Sequence, residues 1–111
     1  MNYALMLCAL LALPAQAMVS GNDLLTKIKN SKNTTASGNT DLSFVAGYLA
    51  GILDSPIEGM CLPAGVNIMQ LMDMTERTLL ERAESRHLLG SAFVGVTIQR
   101  AWPCPPKDKS K

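Results

Sequence analysis

The residues able to do chemistry are few: Cys8, Cys61, Cys104 and a single histidine, His87. Zinc sites gather close-spaced Cys or His pairs, and here the whole stretch from Leu62 to Pro103 separates the two later cysteines. A hydrolytic site needs a nucleophile beside a base that a third group orients. No serine is flanked by glycines in the manner of a nucleophile turn, and His87 lies amid charges in Glu84-Ser85-Arg86-His87. No glycine loop cradles phosphate, and no carboxylate pair stands in a pocket-forming context. The expectation is a protein that is not an enzyme, needs no cofactor or metal, and works by binding. His87 then reads as a surface or interface side chain.

The cysteines gain meaning from the N-terminus. Ala4 to Leu13 is an apolar run that Pro14 breaks, and Ala15-Gln16-Ala17 follows as a small-x-small cleavage site. Met1-Asn2-Tyr3 carries no Lys or Arg, so the terminal amine supplies the only positive charge there. The run is too short to cross a bilayer, which takes roughly 20 residues. It predicts a signal peptide over residues 1–17, cut before Met18, and hence export. Cys8 leaves with it, and Cys61 and Cys104 remain as an even pair in an oxidising compartment. A disulfide between them is the economical expectation.

The rest, residues 18–111, has the length of one small domain. Ten basic and nine acidic residues leave a net charge of +1, with no clustered basic excess to hold a phosphate backbone. Nucleic-acid binding is excluded on that ground.

Hydrophobic spacing predicts four helical segments. Asn22 or Asp23 can cap the first, which carries Leu24, Leu25 and Ile28 on one side. Asn30 to Thr40 is almost wholly polar and reads as a solvated loop. Within it Asn33-Thr34-Thr35 matches a glycosylation acceptor, which matters only in a eukaryotic secretory host. Asp41 to Leu53 is apolar nearly all round, the pattern of a central buried helix. Its Gly47 and Gly51 would admit another backbone, from within the domain or from a second copy. Ser55-Pro56, Gly59, Pro63 and Gly65 mark an irregular connection. Asn67 with Gln70 starts a third helix lined by Ile68, Leu71, Met72, Thr75 and Leu79, with Asp73 and Arg77 on its solvated face. Leu88 to Trp102 is ambiguous. Val94, Val96, Thr97 and Ile98 tolerate a strand, but Leu88, Leu89, Ala92, Phe93, Val96, Ile98, Ala101 and Trp102 fit a helix, and the length favours it. Lys107 to Lys111 is a polar tail. The fold class expected is all-α: a small bundle of about four helices closed by one disulfide, without a membrane span.

The ordered pieces then matter together. They are Ser20-Gly21-Asn22-Asp23-Leu24-Leu25, Val45-Ala46-Gly47-Tyr48-Leu49-Ala50-Gly51-Ile52-Leu53-Asp54, Cys61-Leu62-Pro63-Ala64-Gly65-Val66, Gln70-Leu71, Glu84-Ser85-Arg86-His87-Leu88 and Ala101-Trp102-Pro103-Cys104. This set resembles the Rap/Tai family, whose characterised members are periplasmic immunity proteins that neutralise peptidoglycan amidase effectors of type VI secretion. The resemblance implies a small helical fold, a periplasmic location, a cognate amidase as partner and often a homodimer. Family members often carry two further cysteines, whose matching positions here look like Ile28 and Val45. The departure suggests a second disulfide replaced by packing. Occlusion of an amidase cleft needs a protruding segment, and Glu84, Ser85, Arg86 and His87 are the candidate partner-binding residues. On an exposed turn, Arg86 would contribute little to stability. The competing expectation is a periplasmic structural or chaperone-like helical protein without a toxin partner.

Overall fold

The computed structural model describes residues 18–55 and 59–106. The predicted leader over residues 1–17 and the polar tail over residues 107–111 lie outside the described residues. Four α-helices follow in order: α1 (Gly21–Ser31), α2 (Ala36–Asp54), α3 (Ile68–Glu81) and α4 (Gly90–Ala101), with a single 3-10 turn at Ala83–Ser85. Among the described residues no strand forms, and one isolated antiparallel bridge joins Ser20 to Leu89. The all-α expectation holds.

Helix α1 starts earlier than its polar residues suggest. Ser20 is the cap, its Oγ accepting from the Asp23 N–H at 3.1 Å while the Asp23 carboxylate accepts from the Ser20 N–H at 3.3 Å. Asp23 therefore serves as the reciprocal partner three positions on, rather than as the cap itself. The solvated loop expected over residues 30–40 shrinks to residues 32–35, because its polar side chains cap and bridge helices instead of opening a loop. Thr35 Oγ1 accepts from the Gly38 N–H at 3.0 Å and starts α2. Asn30 Nδ2 then donates to Asp41 Oδ2 at 2.8 Å and to Ser37 Oγ at 3.0 Å, with Lys27 Nζ 3.3 Å from Asp41 Oδ1. The Asn30 hydrogen bond, followed by that of Lys27 and its charge, holds the Asp41 carboxyl below its ordinary range against the opposing effect of burial.

The central helices are not the expected ones. Helices α1 and α3 each pack against the other three, while α2 and α4 flank them. Apolar nearly all round, α2 nevertheless buries only Gly38, Val45 and Leu49 fully. Phe44 stays exposed, and a Cβ added at Gly47 or Gly51 would meet nothing within 4 Å. Among the described residues no other part of the domain packs into these glycines, against the expectation. Uniform hydrophobicity names a helix that needs covering, and does not name what covers it.

Helix α3 begins at the expected cap, with Asn67 Oδ1 accepting from the Gln70 N–H at 2.8 Å, though without the expected reciprocal bond to the Gln70 side chain, and it buries Leu71, Met72, Thr75, Thr78 and Leu79. The ambiguous fourth segment is a helix. Its Val94, Thr97 and Ile98 are buried with Phe93, so packing against α1 and α3 outweighs the modest helix penalty of β-branching. Across the α3–α4 contact, Thr97 Oγ1 lies 2.7 Å from both Thr78 Oγ1 and the Phe93 carbonyl oxygen, which satisfies these two hydroxyls, whereas the buried Thr75 Oγ1 finds no partner among the described residues. Leu88 and Leu89, assigned to the apolar face, instead precede the helix and are 51% and 43% exposed. Leu24, Leu25, Ile28, Val45, Leu49, Leu71, Met72, Leu79, Phe93, Val94 and Ile98 form one core. Ile28 and Val45, the positions expected to replace a second bridge, are both fully buried in it.

A disulfide joins Cys61, in the connection after α2, to Cys104, just past α4, with Cα atoms 5.1 Å apart. It closes the bundle as expected. The connection turns at Gly59 and Gly65, whose φ values of 85° and 93° fall in the region that favours glycine.

Candidate functional site

The segment between α3 and α4 brings the four predicted contact residues onto one tight turn. The Ser85 N–H donates to the Arg82 carbonyl at 3.1 Å, and the Arg86 N–H to that of Ala83 at 3.4 Å. The Leu88 N–H then closes on the Ser85 carbonyl at 2.9 Å. Glu84 and His87 face solvent, while Ser85 and Arg86 are half-buried.

A second set of bonds clamps this turn from outside. The first N–H groups of a helix have no partner within it, and the first two of α1 are spent on the turn. The Gly21 N–H donates to the Leu88 carbonyl and the Asn22 N–H to the Arg86 carbonyl, both at 2.8 Å. In the opposite sense the Gly90 N–H donates to the Val19 carbonyl at 2.7 Å. Residues 19–22 thus strap residues 86–90 by backbone alone. The close approach requires glycine at position 21: an added Cβ would lie 2.7 Å from Phe93 Cε2 and 3.0 Å from the Arg86 carbonyl oxygen.

Arg86 departs from expectation. Its Nε is shut off from solvent and finds no acceptor among the described residues, and the same holds for that of Arg82. Among the described residues the ion pairs are Lys27–Asp41, Lys32–Glu76 and Arg100–Glu81, and neither of these two arginines takes part in one. Arg86 is therefore a partly sequestered side chain rather than a free charge on an exposed loop.

Beside the turn lies a cavity of about 130 Å³ lined by Arg82, Ser85, Leu88, Ala92, Phe93 and Val96. Its lining is mostly apolar, with one guanidinium and one hydroxyl at the turn side. Sequence reasoning missed Arg82 and the strap. The arginine looked like one more charge on a solvated helix, and the strap acts through backbone groups that carry no side-chain pattern.

A second unfilled surface runs along α2, where Phe44, Gly47, Tyr48 and Gly51 recur at helical spacing. The rings of Phe44 and Tyr48 stack at 6.1 Å, and Lys27 Nζ lies 4.7 Å from the Phe44 ring centre, a cation–π distance. Among the described residues no group of three His, Cys, Asp or Glu side chains is placed to hold a metal ion, and no helix is long and apolar enough to cross a membrane.

Residues 20–104 match the family model described as Rap1a immunity proteins. The matched span runs from the Ser20 cap to Cys104, so it takes in the strap, all four helices, the turn and the disulfide. No curated protein and no solved structure shows significant similarity to the chain.

Proposed function

The chain belongs to the Rap1a immunity protein family, and from that premise we propose that it is exported to the periplasm, where it binds and occludes a peptidoglycan amidase effector of type VI secretion. It is an immunity protein, not an enzyme, so it neutralises by occupying its partner and has to bind tightly. The observation that carries the reading is the turn at residues 83–88, gripped by its own bonds and by the α1 strap. Such a segment loses little further freedom when it enters a cleft, which removes part of the ordinary cost of association. Glu84, Ser85, Arg86 and His87 are its contact residues. The leader over residues 1–17 supports export, because peptidoglycan lies in the periplasm and an inhibitor held in the cytosol would never meet the toxin there.

The open face of α2 supports a homodimer. Phe44 beside two uncovered glycines offers a ridge and a groove to the same face of a second copy.

The test is protection. Cells producing an amidase encoded beside this protein, directed to the periplasm, should survive with the exported form and die with a version lacking residues 1–17. Arg86→Glu should weaken binding tenfold or more. Failure of the purified protein to inhibit any adjacent amidase would return the protein to a structural or chaperone-like role.

A further inference from the structure

We propose that the cavity between the 3-10 turn and α4 seats one aliphatic or aromatic side chain of the effector, and that Arg82 receives a carboxylate carried next to that side chain. This identification of the occupant rests on the immunity reading; the chemistry of the recess does not.

At about 130 Å³ the recess is too small for a metabolite, whose pockets run to roughly 300–1,000 Å³. It is close to the roughly 150 Å³ that accommodates a benzene ring in an apolar cavity. Leu88, Ala92, Phe93 and Val96 make an apolar lining, and water held there has few partners, so an apolar group displaces it favourably. Half of Leu88 remains exposed at the recess, an apolar surface that nothing among the described residues covers. A single deep side chain inside a ring of lesser contacts is the usual form of an interface anchor.

The polar edge selects the rest of the partner. Arg82 lines the recess and is only half-buried, so its guanidinium can meet an incoming carboxylate there, while its Nε, like that of Arg86, is shut off from solvent and finds no acceptor among the described residues. Residues 82–89 carry two guanidinium groups against the one carboxylate of Glu84, so the local balance favours an anionic partner. A leucine- or phenylalanine-sized side chain beside an Asp or Glu meets both requirements at once.

The recess is tested without the effector by methyl-detected NMR of the purified mature protein. Titration with N-acetyl-leucine, an apolar side chain bearing a carboxylate, should shift the Leu88 and Val96 methyl signals with saturation in the millimolar range. The neutral N-acetyl-leucinamide should bind several-fold more weakly, and Ala92→Phe or the milder Ala92→Leu should abolish both responses. Absence of a saturable shift from either probe overturns the proposal. In effector binding, Ala92→Phe and Arg82→Met should each weaken the complex tenfold or more with unchanged far-ultraviolet circular dichroism. Parental affinity in both variants overturns the recess as an anchor and leaves the immunity reading intact. A dimer that dissociates on Ala92→Phe also overturns it, making the recess a contact between copies. If the parent binds no amidase, the immunity reading fails and the probe titration still decides the recess.

Discussion

Replacing both bridge cysteines, Cys61→Ser with Cys104→Ser, should lower stability by about 4 kcal/mol through the unfolded chain rather than through lost native contacts. The bridge spans 43 positions, and closing a loop of that length removes about 4 kcal/mol of chain entropy from the denatured state at room temperature. Its placement supports that origin. Cys61 is exposed and Cys104 half-buried, so two hydroxyls in their place open no cavity in the core. The closed loop holds α3, the turn and α4, whereas α1 lies outside it and packs on both enclosed helices. Those contacts survive the substitution, so the variant should keep native helicity at room temperature. A domain of this size has roughly 5–15 kcal/mol to lose, and each kcal/mol moves Tm by about 4–8 °C, so melting should fall by roughly 15–30 °C. The assay is thermal and urea unfolding followed by far-ultraviolet circular dichroism. The urea m-value should rise as well, because the unbridged chain exposes more surface on unfolding. A double-serine protein that melts within about 5 °C of the parent would refute the loop-entropy reasoning.

Gly21→Ala should cost about 1–3 kcal/mol, because the added Cβ meets the Phe93 ring and the Arg86 carbonyl; chemical denaturation measures it, and the same variant should bind effector more weakly. Gly47→Ala and Gly51→Ala should each raise monomer stability by up to about 1 kcal/mol, since nothing opposes a methyl there, while sedimentation should show a weaker dimer. Asp41 has a carboxyl pKa below the ordinary 3.8, so the folded state gives up its proton more readily than the unfolded chain. Its stabilisation is present above that ordinary value and is lost as pH falls through the lowered one, and Asp41→Asn should flatten the acid limb of a plot of Tm against pH. Arg86→Glu should lower melting measurably, in contrast to the near-neutral outcome expected of a fully exposed turn charge, because its Nε is sequestered.

The sequence made the helices legible wherever hydrophobic spacing and a side-chain cap coincide. Asn67 with Gln70 placed α3 correctly, and the wide apolar face of residues 88–102 won over four β-branched residues. It misled wherever polarity was equated with loop, since Asn30, Thr35 and Ser37 spend their polar groups on capping and bridging helices. It also misled wherever hydrophobicity was equated with burial, since α2 leaves Phe44, Gly47 and Gly51 exposed. The turn at residues 84–87 was legible as a polar connection, but its rigidity was not. That rigidity comes from two glycines, Gly21 and Gly90, each the first residue of its helix, where neither capping nor propensity calls for glycine. Their N–H groups donate in opposite senses, Gly21 to Leu88 and Gly90 to Val19, flanking the Ser20–Leu89 bridge. A Cβ at position 90 would lie 3.2 Å from the Val19 carbonyl oxygen, and one at position 21 would strike Phe93. Glycine at both helix starts is therefore the side-chain trace of a backbone contact that no hydrophobic period records. Through it the start of α1, far from the turn in sequence, sets the shape of the turn at residues 86–90.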